Sequence, residues 1–306
     1  MGKTAFVFPG QGAQTVGMGK DFYDTYPEAR AVFEKADRLL NFGLSELIFE
    51  GPEEELKKTA NTQPALLTVS VAILEVFKQK GIQADYVAGH SLGEYSALVA
   101  SGVLSFDDAV RAVRNRGIAM EQAVPAGQGG MAAVLGADRE RLAELCREIS
   151  AAGSTVEMAN VNCPGQIVVS GSAAGIEQIV ERVKESGAKR AIPLEVSGPF
   201  HSSLMQPASE QLAKELDSVA FADAVCPVIS NVSAQPVTEG AQIRRLLAQQ
   251  VVSPVLWEDS MNWLTGQGVD TFYEIGSGTV LAGLMKKINR QANIVSINSL
   301  ESLAQV

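Results

Sequence analysis

Short apolar runs alternate with longer amphipathic segments along most of the chain. Each short run is rich in apolar residues and is bounded by Gly, Pro or Asn, which is typical of buried strands. These predicted strands are Ala5–Phe8, Tyr86–Gly89, Pro227–Asn231, Thr271–Ile275 and Ile294–Ile297. The amphipathic segments predict helices, for example Pro27–Leu40, Pro64–Gln79, Phe106–Gln122 and Ile243–Gln250. Strands that alternate with helices in this way predict an α/β fold with a mainly parallel sheet.

The middle of the chain has a different order of elements. Its strand-like and helix-like segments follow the order βαββαβ, which is the ferredoxin-like arrangement. They are Met131–Leu135, Asp138–Ser150, Val156–Val161, Gln166–Ser170, Gly175–Ser186 and Lys189–Glu195. We therefore expect residues 125–197 to form a small ferredoxin-like domain. It would be inserted into a large α/β domain made of residues 1–124 and 198–306.

Composition and charge exclude several classes of protein. The 306 residues include 25 Lys and Arg against 35 Asp and Glu, a net charge of −10 that argues against nucleic-acid binding. The longest apolar stretch, Pro64–Phe77, is interrupted by Thr68, Ser70 and Glu75, so we expect no membrane span. The N-terminus has no basic segment followed by an apolar run and a cleavage site, so we expect no export signal. Three widely spaced cysteines exclude a disulfide framework and a CxxC metal site. We expect a soluble, cytoplasmic protein without a metal.

The first candidate for chemistry is the sequence Gly89-His90-Ser91-Leu92-Gly93. It fits G-x-S-x-G, and it stands directly after a predicted strand and before a predicted helix, Leu92–Ser101. In that context the motif predicts a nucleophile elbow, which makes the large domain α/β-hydrolase-like and Ser91 a catalytic nucleophile. The alternative is a glycine-rich turn in which the serine only caps the helix.

A serine nucleophile needs a base, and the chain has only two histidines. His90 lies in the elbow beside Ser91, and adjacent side chains on such a turn point apart. By elimination His201 is the candidate base. No acid can be chosen by spacing among the 105 residues that follow it, and a carbonyl could orient the imidazole instead.

At this point the chain resembles a known family. Five motifs stand in the order and spacing of the malonyl-CoA:acyl-carrier-protein transacylases, and the resemblance covers nearly the whole chain. They are Phe8-Pro9-Gly10-Gln11-Gly12, Gly89-His90-Ser91-Leu92-Gly93-Glu94-Tyr95, Arg116-Gly117, Gly198-Pro199-Phe200-His201-Ser202 and Gln250-Val251-Val252-Ser253-Pro254-Val255.

The resemblance implies a role for each matching residue. Ser91 and His201 would form the catalytic dyad, with a carbonyl of Gln250 orienting the histidine in place of an acid. Backbone amides of Gln11 and Leu92 would form the oxyanion hole. Arg116 would pair with the free malonyl carboxylate through two parallel hydrogen bonds. Asn162 would line the acyl pocket from the small domain, and Gln63 fits another family motif. Phe200, a bulky neighbour of the base, favours malonyl over methylmalonyl.

The resemblance also implies the reaction. Ser91 would take malonyl from malonyl-CoA, and the phosphopantetheine thiol of an acyl carrier protein would take it from the serine, as a step of fatty-acid synthesis. The coenzyme A thioester is a substrate, so we expect no cofactor. We expect a monomer.

Other functions remain compatible with the sequence. The same elbow would serve a serine hydrolase or thioesterase, and the same transfer would serve polyketide synthesis. A catalytically inactive binding domain is a third alternative. The turns at Gly10 and Gly276 resemble dinucleotide loops, but Thr15 and Leu281 occupy the third glycine positions.

Basic residues offer a docking surface for an acidic carrier protein, because two anions repel at long range. Lys286, Lys287 and Arg290 follow a predicted helix that begins at Thr279, and Lys189 and Arg190 stand on the last strand of the small domain. The alternative is that they are ordinary solvated charges, which a helix C-terminus favours in any case.

Overall fold

The computed structural model describes residues 2–306, in which ten strands and fourteen α-helices are assigned. The strands are β1 (Lys3–Phe8), β2 (Tyr86–Gly89), β3 (Gly129–Leu135), β4 (Val156–Cys163), β5 (Gln166–Ser172), β6 (Arg190–Pro193), β7 (Val228–Ile229), β8 (Pro236–Val237), β9 (Val269–Ile275) and β10 (Asn293–Ile297). The helices are α1 (Lys20–Thr25), α2 (Pro27–Leu40), α3 (Leu44–Glu50), α4 (Glu53–Lys57), α5 (Thr59–Phe77), α6 (Gly93–Ala100), α7 (Phe106–Ala123), α8 (Arg139–Ala151), α9 (Ala173–Arg182), α10 (Gln206–Leu216), α11 (Gly240–Gln250), α12 (Trp257–Gly266), α13 (Val280–Ile288) and α14 (Leu300–Ala304).

The larger sheet has six strands in the order β10-β9-β1-β2-β7-β8. All neighbours pair in parallel except β7 and β8, which form an antiparallel pair at one edge. Side chains of β1 alternate between two apolar clusters, because successive residues of a strand point to opposite faces. Phe6 and Phe8 enter one cluster, and Ala5 and Val7 enter the other. The mixed α/β architecture with a mainly parallel sheet agrees with the sequence prediction.

Helix α5 lies at the centre of the larger cluster. Together with the 3-10 turn that follows it, it spans Thr59–Lys80 and is long and apolar enough to cross a membrane, yet 89% of its most apolar window is buried inside the protein. A buried core helix passes the same test of length and composition. Pro64 lies inside α5 and cannot bond the Ala60 carbonyl, which instead accepts a 2.6 Å hydrogen bond from Arg114 Nη1.

A second sheet of four antiparallel strands has the order β4-β5-β3-β6. Helices α8 and α9 pack on it, and they share an apolar cluster separate from those of the larger sheet. We propose that residues 125–197 fold as a distinct small domain around that cluster. Strand β4 also contacts the segment that precedes α12, because the Val161 N–H donates a 2.9 Å hydrogen bond to the Val255 carbonyl.

Candidate active site

The loop between β2 and α6 makes a tight, strained turn at Ser91. Ser91 has a φ of 52°, a left-handed conformation that is uncommon for a residue with a side chain. The flanking glycines are required by space: a Cβ on Gly89 would overlap the Gly93 backbone, and one on Gly93 would overlap the Phe8 carbonyl. Asn231 holds the turn, because its Oδ1 accepts a 2.7 Å hydrogen bond from the Ser91 backbone N–H.

Ser91 and His201 lie within hydrogen-bonding distance of each other. Ser91 Oγ is 2.7 Å from His201 Nε2, and His201 Nδ1 is 2.9 Å from the backbone carbonyl of Gln250. A carbonyl only accepts, so Nδ1 carries the proton and Nε2 is left free to accept the proton of the serine. Burial, and then the charge of Arg116, lowers the pKa of His201 to about 3, which keeps the ring neutral.

Gln250 contributes two different groups to the site. Its backbone carbonyl orients His201, while its side chain accepts a 2.9 Å hydrogen bond from Arg116 Nη2 through Oε1. The sequence indicated a glutamine carbonyl without distinguishing these two. The backbone carbonyl fills the position of the acid that the sequence left unassigned.

Arg116 is buried beside Ser91, with 1% of its surface exposed. Nη2 lies 3.2 Å from Ser91 Oγ, and Nη1 donates a 2.8 Å hydrogen bond to Gln63 Oε1. Burial lowers the pKa of Arg116, but an arginine keeps its proton in proteins. Within residues 2–306 no carboxylate forms an ion pair with it. The guanidinium is therefore a buried cation bonded only to neutral oxygens.

Backbone N–H groups of Gln11 and Leu92 border the same space. Among the residues that the structure describes, neither group has a hydrogen-bond acceptor. Leu92 precedes the first residue of α6, so its amide has the orientation and partial positive charge of a helix N-terminus. The side chain of Gln11 is anchored by a 3.1 Å hydrogen bond from Nε2 to Thr59 Oγ1. Two free amides beside a nucleophile can bind an oxyanion.

These groups line a cavity of about 280 Å³ that opens between the two sheets. Phe200 and Asn162 are also in its wall. Asn162 Oδ1 lies 2.8 Å from His90 Nε2, so the second histidine contacts the small sheet rather than the serine hydroxyl. Burial lowers the pKa of His90. In the part of the chain that is described, no group of three or more His, Cys, Asp or Glu residues could hold a metal ion.

Residues 5–303 match the acyl transferase domain family. The chain is 56% identical over 303 residues to "Malonyl CoA-acyl carrier protein transacylase" of Bacillus subtilis (strain 168), covering 99% of this chain and 96% of the relative. It is 50% identical over 303 residues to the protein of the same name from Staphylococcus aureus (strain MRSA252), covering 99% and 98%. The chain belongs to the malonyl CoA-acyl carrier protein transacylase family.

Solved structures of this transacylase family share the fold. An acyl-carrier-protein S-malonyltransferase from Bartonella henselae is 44% identical with a TM-score of 0.96, covering 99% of this chain and 98% of that one. A malonyl-transacylase in complex with its type II PKS acyl-carrier protein is 42% identical with a TM-score of 0.96 and the same coverage. The family resemblance predicted from the five motifs is confirmed.

The sequence reasoning missed two polar residues that stand behind the dyad. Asn231 follows β7 and is fully buried, and Glu94 in the first turn of α6 is 2% exposed. Glu94 Oε2 accepts hydrogen bonds from Gln250 Nε2 at 2.7 Å and from the Asn231 backbone N–H at 3.2 Å. A signal for Glu94 was present, since a carboxylate in an otherwise apolar helix is unusual.

The five basic residues of the predicted docking surface lie on or next to α13 and β6, of which α13 lines the cavity. Helix α13 supplies Val280, Leu281 and Leu284 to the wall. Lys286, Lys287 and Arg290 are exposed at and just beyond its C-terminal end, and Lys189 and Arg190 are exposed at the start of β6. Lys287 Nζ donates a 3.2 Å hydrogen bond to Gln166, itself a wall residue.

Proposed function

We propose that this chain transfers a malonyl group from malonyl-CoA to the phosphopantetheine thiol of an acyl carrier protein, through a malonyl ester of Ser91. The proposal rests on family membership and on the arrangement of Ser91, His201 and Arg116. It makes the protein an [acyl-carrier-protein] S-malonyltransferase with a ping-pong cycle.

In the first half-reaction Ser91 Oγ attacks the thioester carbonyl of malonyl-CoA while its proton moves to His201 Nε2. The negative charge that develops on the carbonyl oxygen is stabilised by the N–H groups of Gln11 and Leu92. Collapse of the tetrahedral intermediate breaks the carbon–sulfur bond. The proton held on Nε2 passes to the departing coenzyme A thiolate, which leaves a malonyl ester on Ser91.

The second half-reaction uses the same groups in reverse. The carrier thiol gives its proton to His201 Nε2 and attacks the ester carbonyl, and the same two amides stabilise the new oxyanion. When the ester bond breaks, Ser91 Oγ takes the proton back from Nε2. The cycle needs no cofactor, because every proton returns to a group on this chain or on a substrate.

The observation that carries the malonyl assignment is the position of Arg116. A buried guanidinium 3.2 Å from the nucleophile, bonded only to neutral oxygens, favours an acyl group that carries its own carboxylate. A plain esterase has no use for such a cation. Phe200, buried in the cavity wall beside the base, leaves less space for an α-methyl branch.

Radiolabelled malonyl-CoA tests the proposal directly. We expect label on the intact protein at Ser91, no label on Ser91→Ala, and transfer of the label to added holo carrier protein. A serine hydrolase or thioesterase would instead release free malonate at the full rate without carrier protein. If the protein takes up no covalent label with or without carrier protein, both the transferase and the hydrolase interpretation are contradicted, and a binding domain is favoured.

Carrier docking is proposed at the mouth of the cavity. Lys286, Lys287 and Arg290, together with Lys189 and Arg190, would supply the local positive charge that a chain of net charge −10 needs to meet an acidic partner. We assign the activity to fatty-acid synthesis. The type II PKS complex among the similar structures makes polyketide synthesis the alternative, and comparing transfer to carriers of both kinds distinguishes them.

We further propose that the protein acts as a monomer in the cytoplasm. The buried position of α5 within the protein supports a chain that does not enter a membrane. Sedimentation of the purified protein tests the monomer.

A further inference from the structure

The side-chain amide of Gln250 stands between the buried carboxyl of Glu94 and the buried guanidinium of Arg116. Its Oε1 accepts from Arg116 Nη2 at 2.9 Å, and its Nε2 donates to Glu94 Oε2 at 2.7 Å. Two further acceptors lie near Nε2, the Ser91 carbonyl at 3.1 Å and Asn231 Oδ1 at 3.3 Å. All three groups around Nε2 are acceptors, and the group beside Oε1 is a donor.

An amide side chain could in principle rotate by half a turn and exchange its oxygen and nitrogen. Here the exchange would place Oε1 against the Glu94 carboxylate and the NH2 group against the Arg116 guanidinium. A guanidinium has no lone pair to offer and an ionised carboxylate has no proton to donate, so with Glu94 ionised both contacts would become repulsive, and the contact with Arg116 would be repulsive in either state. Glu94 and Arg116 thus select the same orientation from opposite ends.

We propose that Glu94 is a positioning residue for malonyl specificity: by holding Gln250 Nε2, it presents Oε1 to Arg116 and fixes the guanidinium against Ser91. The proposal deepens the proposed function and rests on it. No part of Glu94 has to touch the substrate, because its effect passes through one amide.

Glu94 can hold Gln250 without competing with a malonyl carboxylate for Arg116. Within residues 2–306 it forms no ion pair, and one amide group separates it from Arg116. The first turn of α6 favours a negative charge there. A carboxylate in direct contact with Arg116 would occupy the hydrogen bonds that an incoming malonyl carboxylate needs. The Gln250 amide keeps Glu94 away from that position.

Two variants distinguish the effect of the hydrogen bond between Gln250 and Glu94 from the effect of side-chain packing at the elbow. Glu94→Ala removes the acceptor for Gln250 Nε2. Glu94→Gln keeps the shape and an acceptor oxygen, which both surrounding donors, Gln250 Nε2 and the Asn231 N–H, select. Ser96→Ala on the same helix is the matched control, because Ser96 is fully buried and its Oγ has no hydrogen-bond partner in the described residues.

The readout is covalent loading of Ser91 by malonyl-CoA and by acetyl-CoA in single-turnover experiments on the full chain. We expect Glu94→Ala to lower the malonyl-to-acetyl ratio about tenfold or more, since small misplacements at a reacting centre have effects of that size. Glu94→Gln should restore the ratio to within a few-fold of wild type, and Ser96→Ala should leave it unchanged. An equal fall of both acyl groups in Glu94→Ala would overturn the proposal, because it would show a general packing role.

A crystal structure of Glu94→Ala provides an independent test that does not depend on the substrate. The proposal predicts that Oε1 of Gln250 loses its contact with Arg116. If both side chains keep their positions, Glu94 does not position them. If the wild-type protein loads no malonyl at all, the proposed function fails, while this structural comparison still decides the role of Glu94.

Discussion

Arg116 Nη2 lies 3.2 Å from Ser91 Oγ, so a buried guanidinium contacts the proposed nucleophile itself. The group that we propose selects the acyl chain and the proposed nucleophile are therefore held in one hydrogen-bonded set. That set also includes His201 and both carbonyl oxygens of Gln250. We expect substitutions of some members to change reactivity and substitutions of others to change the choice of acyl group.

Replacing Arg116 should affect acyl choice. We expect Arg116→Ala to weaken transition-state binding for malonyl by roughly 2–4 kcal/mol, because a charge-assisted bidentate contact is lost. Acetyl-CoA has no second carboxylate and should be used as well as before or better. Comparing kcat/KM for the two thioesters is the measurement. Arg111→Ala, an exposed position on the same helix, is the control. Equal losses for both substrates would make Arg116 a structural charge.

Gln250→Ala should also change acyl choice more than reactivity. The variant keeps the backbone carbonyl that orients His201 but removes Oε1 from Arg116. We expect acetyl loading of Ser91 to fall only a few-fold and malonyl loading to fall further, by about tenfold or more. Its loss of acetyl loading should be much smaller than that of His201→Ala. A loss as large as that of His201→Ala would show that the side chain is needed for the dyad itself.

The dyad should lose activity as a unit. Ser91→Ala should abolish acylation, and His201→Ala should lower it on the order of 10³-fold or more. Because the pKa of His201 is held near 3 by burial and by Arg116, acylation should not fall through a histidine titration near pH 6.5. Single-turnover loading measured between pH 5 and pH 8 checks both points. Wild-type rates in His201→Ala near neutral pH would contradict the assignment.

Charge reversal tests the docking surface. Lys286, Lys287 and Arg290 changed together to Glu should raise the KM for carrier protein about tenfold at low salt and flatten its salt dependence. Loading by malonyl-CoA should stay nearly unchanged. The control reverses Arg141, Lys214 and Arg245, which are exposed, do not line the cavity and change the net charge equally. Carrier kinetics that do not differ between the two triple variants would place docking elsewhere.

The local patterns predicted much of the fold. Helix α2 has the predicted bounds, and strand β2 does as well. Strand β7 is only Val228–Ile229, shorter than the predicted Pro227–Asn231, and the chain beyond it carries the Asn231 side chain into the site. Helix α5 begins at Thr59 rather than at Pro64, because Arg114 supplies a tertiary donor to the carbonyl that the proline leaves free. A local pattern cannot reveal a donor that lies 54 residues further along the chain from that carbonyl.

In the site, too, some residues could be predicted from the sequence and others depend on tertiary contacts. Ser91 and His201 followed from a motif and from the scarcity of histidine, since the chemistry of a serine nucleophile requires a base. The partners of Arg116 could not be derived that way. Gln63 and Gln250 lie 53 and 134 residues away along the chain, and Glu94 reaches it only through an amide. Their relationship depends on the packing of α5, α6 and α11 around the elbow, which no spacing within the sequence encodes.

The buried carboxyl of Glu94 should make the free energy of unfolding depend on pH. Burial raises the pKa of Glu94 to about 7 from an ordinary value of 4.5. Between those two pH values the folded protein binds more protons at this carboxyl than the unfolded chain does. Its contribution to the free energy of unfolding is therefore intact below about pH 4.5 and is lost as the pH rises to about 7.

Glu94→Gln has no carboxyl to titrate, so its stability relative to wild type should increase across the same interval. The gain should reach on the order of 3 kcal/mol at most and level off above about pH 7, because one pKa unit corresponds to about 1.4 kcal/mol. His201, whose depressed pKa acts in the opposite direction, is present in both proteins and cancels from the difference. Urea unfolding of both proteins at several pH values between 4.5 and 8 is the measurement. A difference that stays constant over that interval would show that Glu94 is ionised throughout in the folded state.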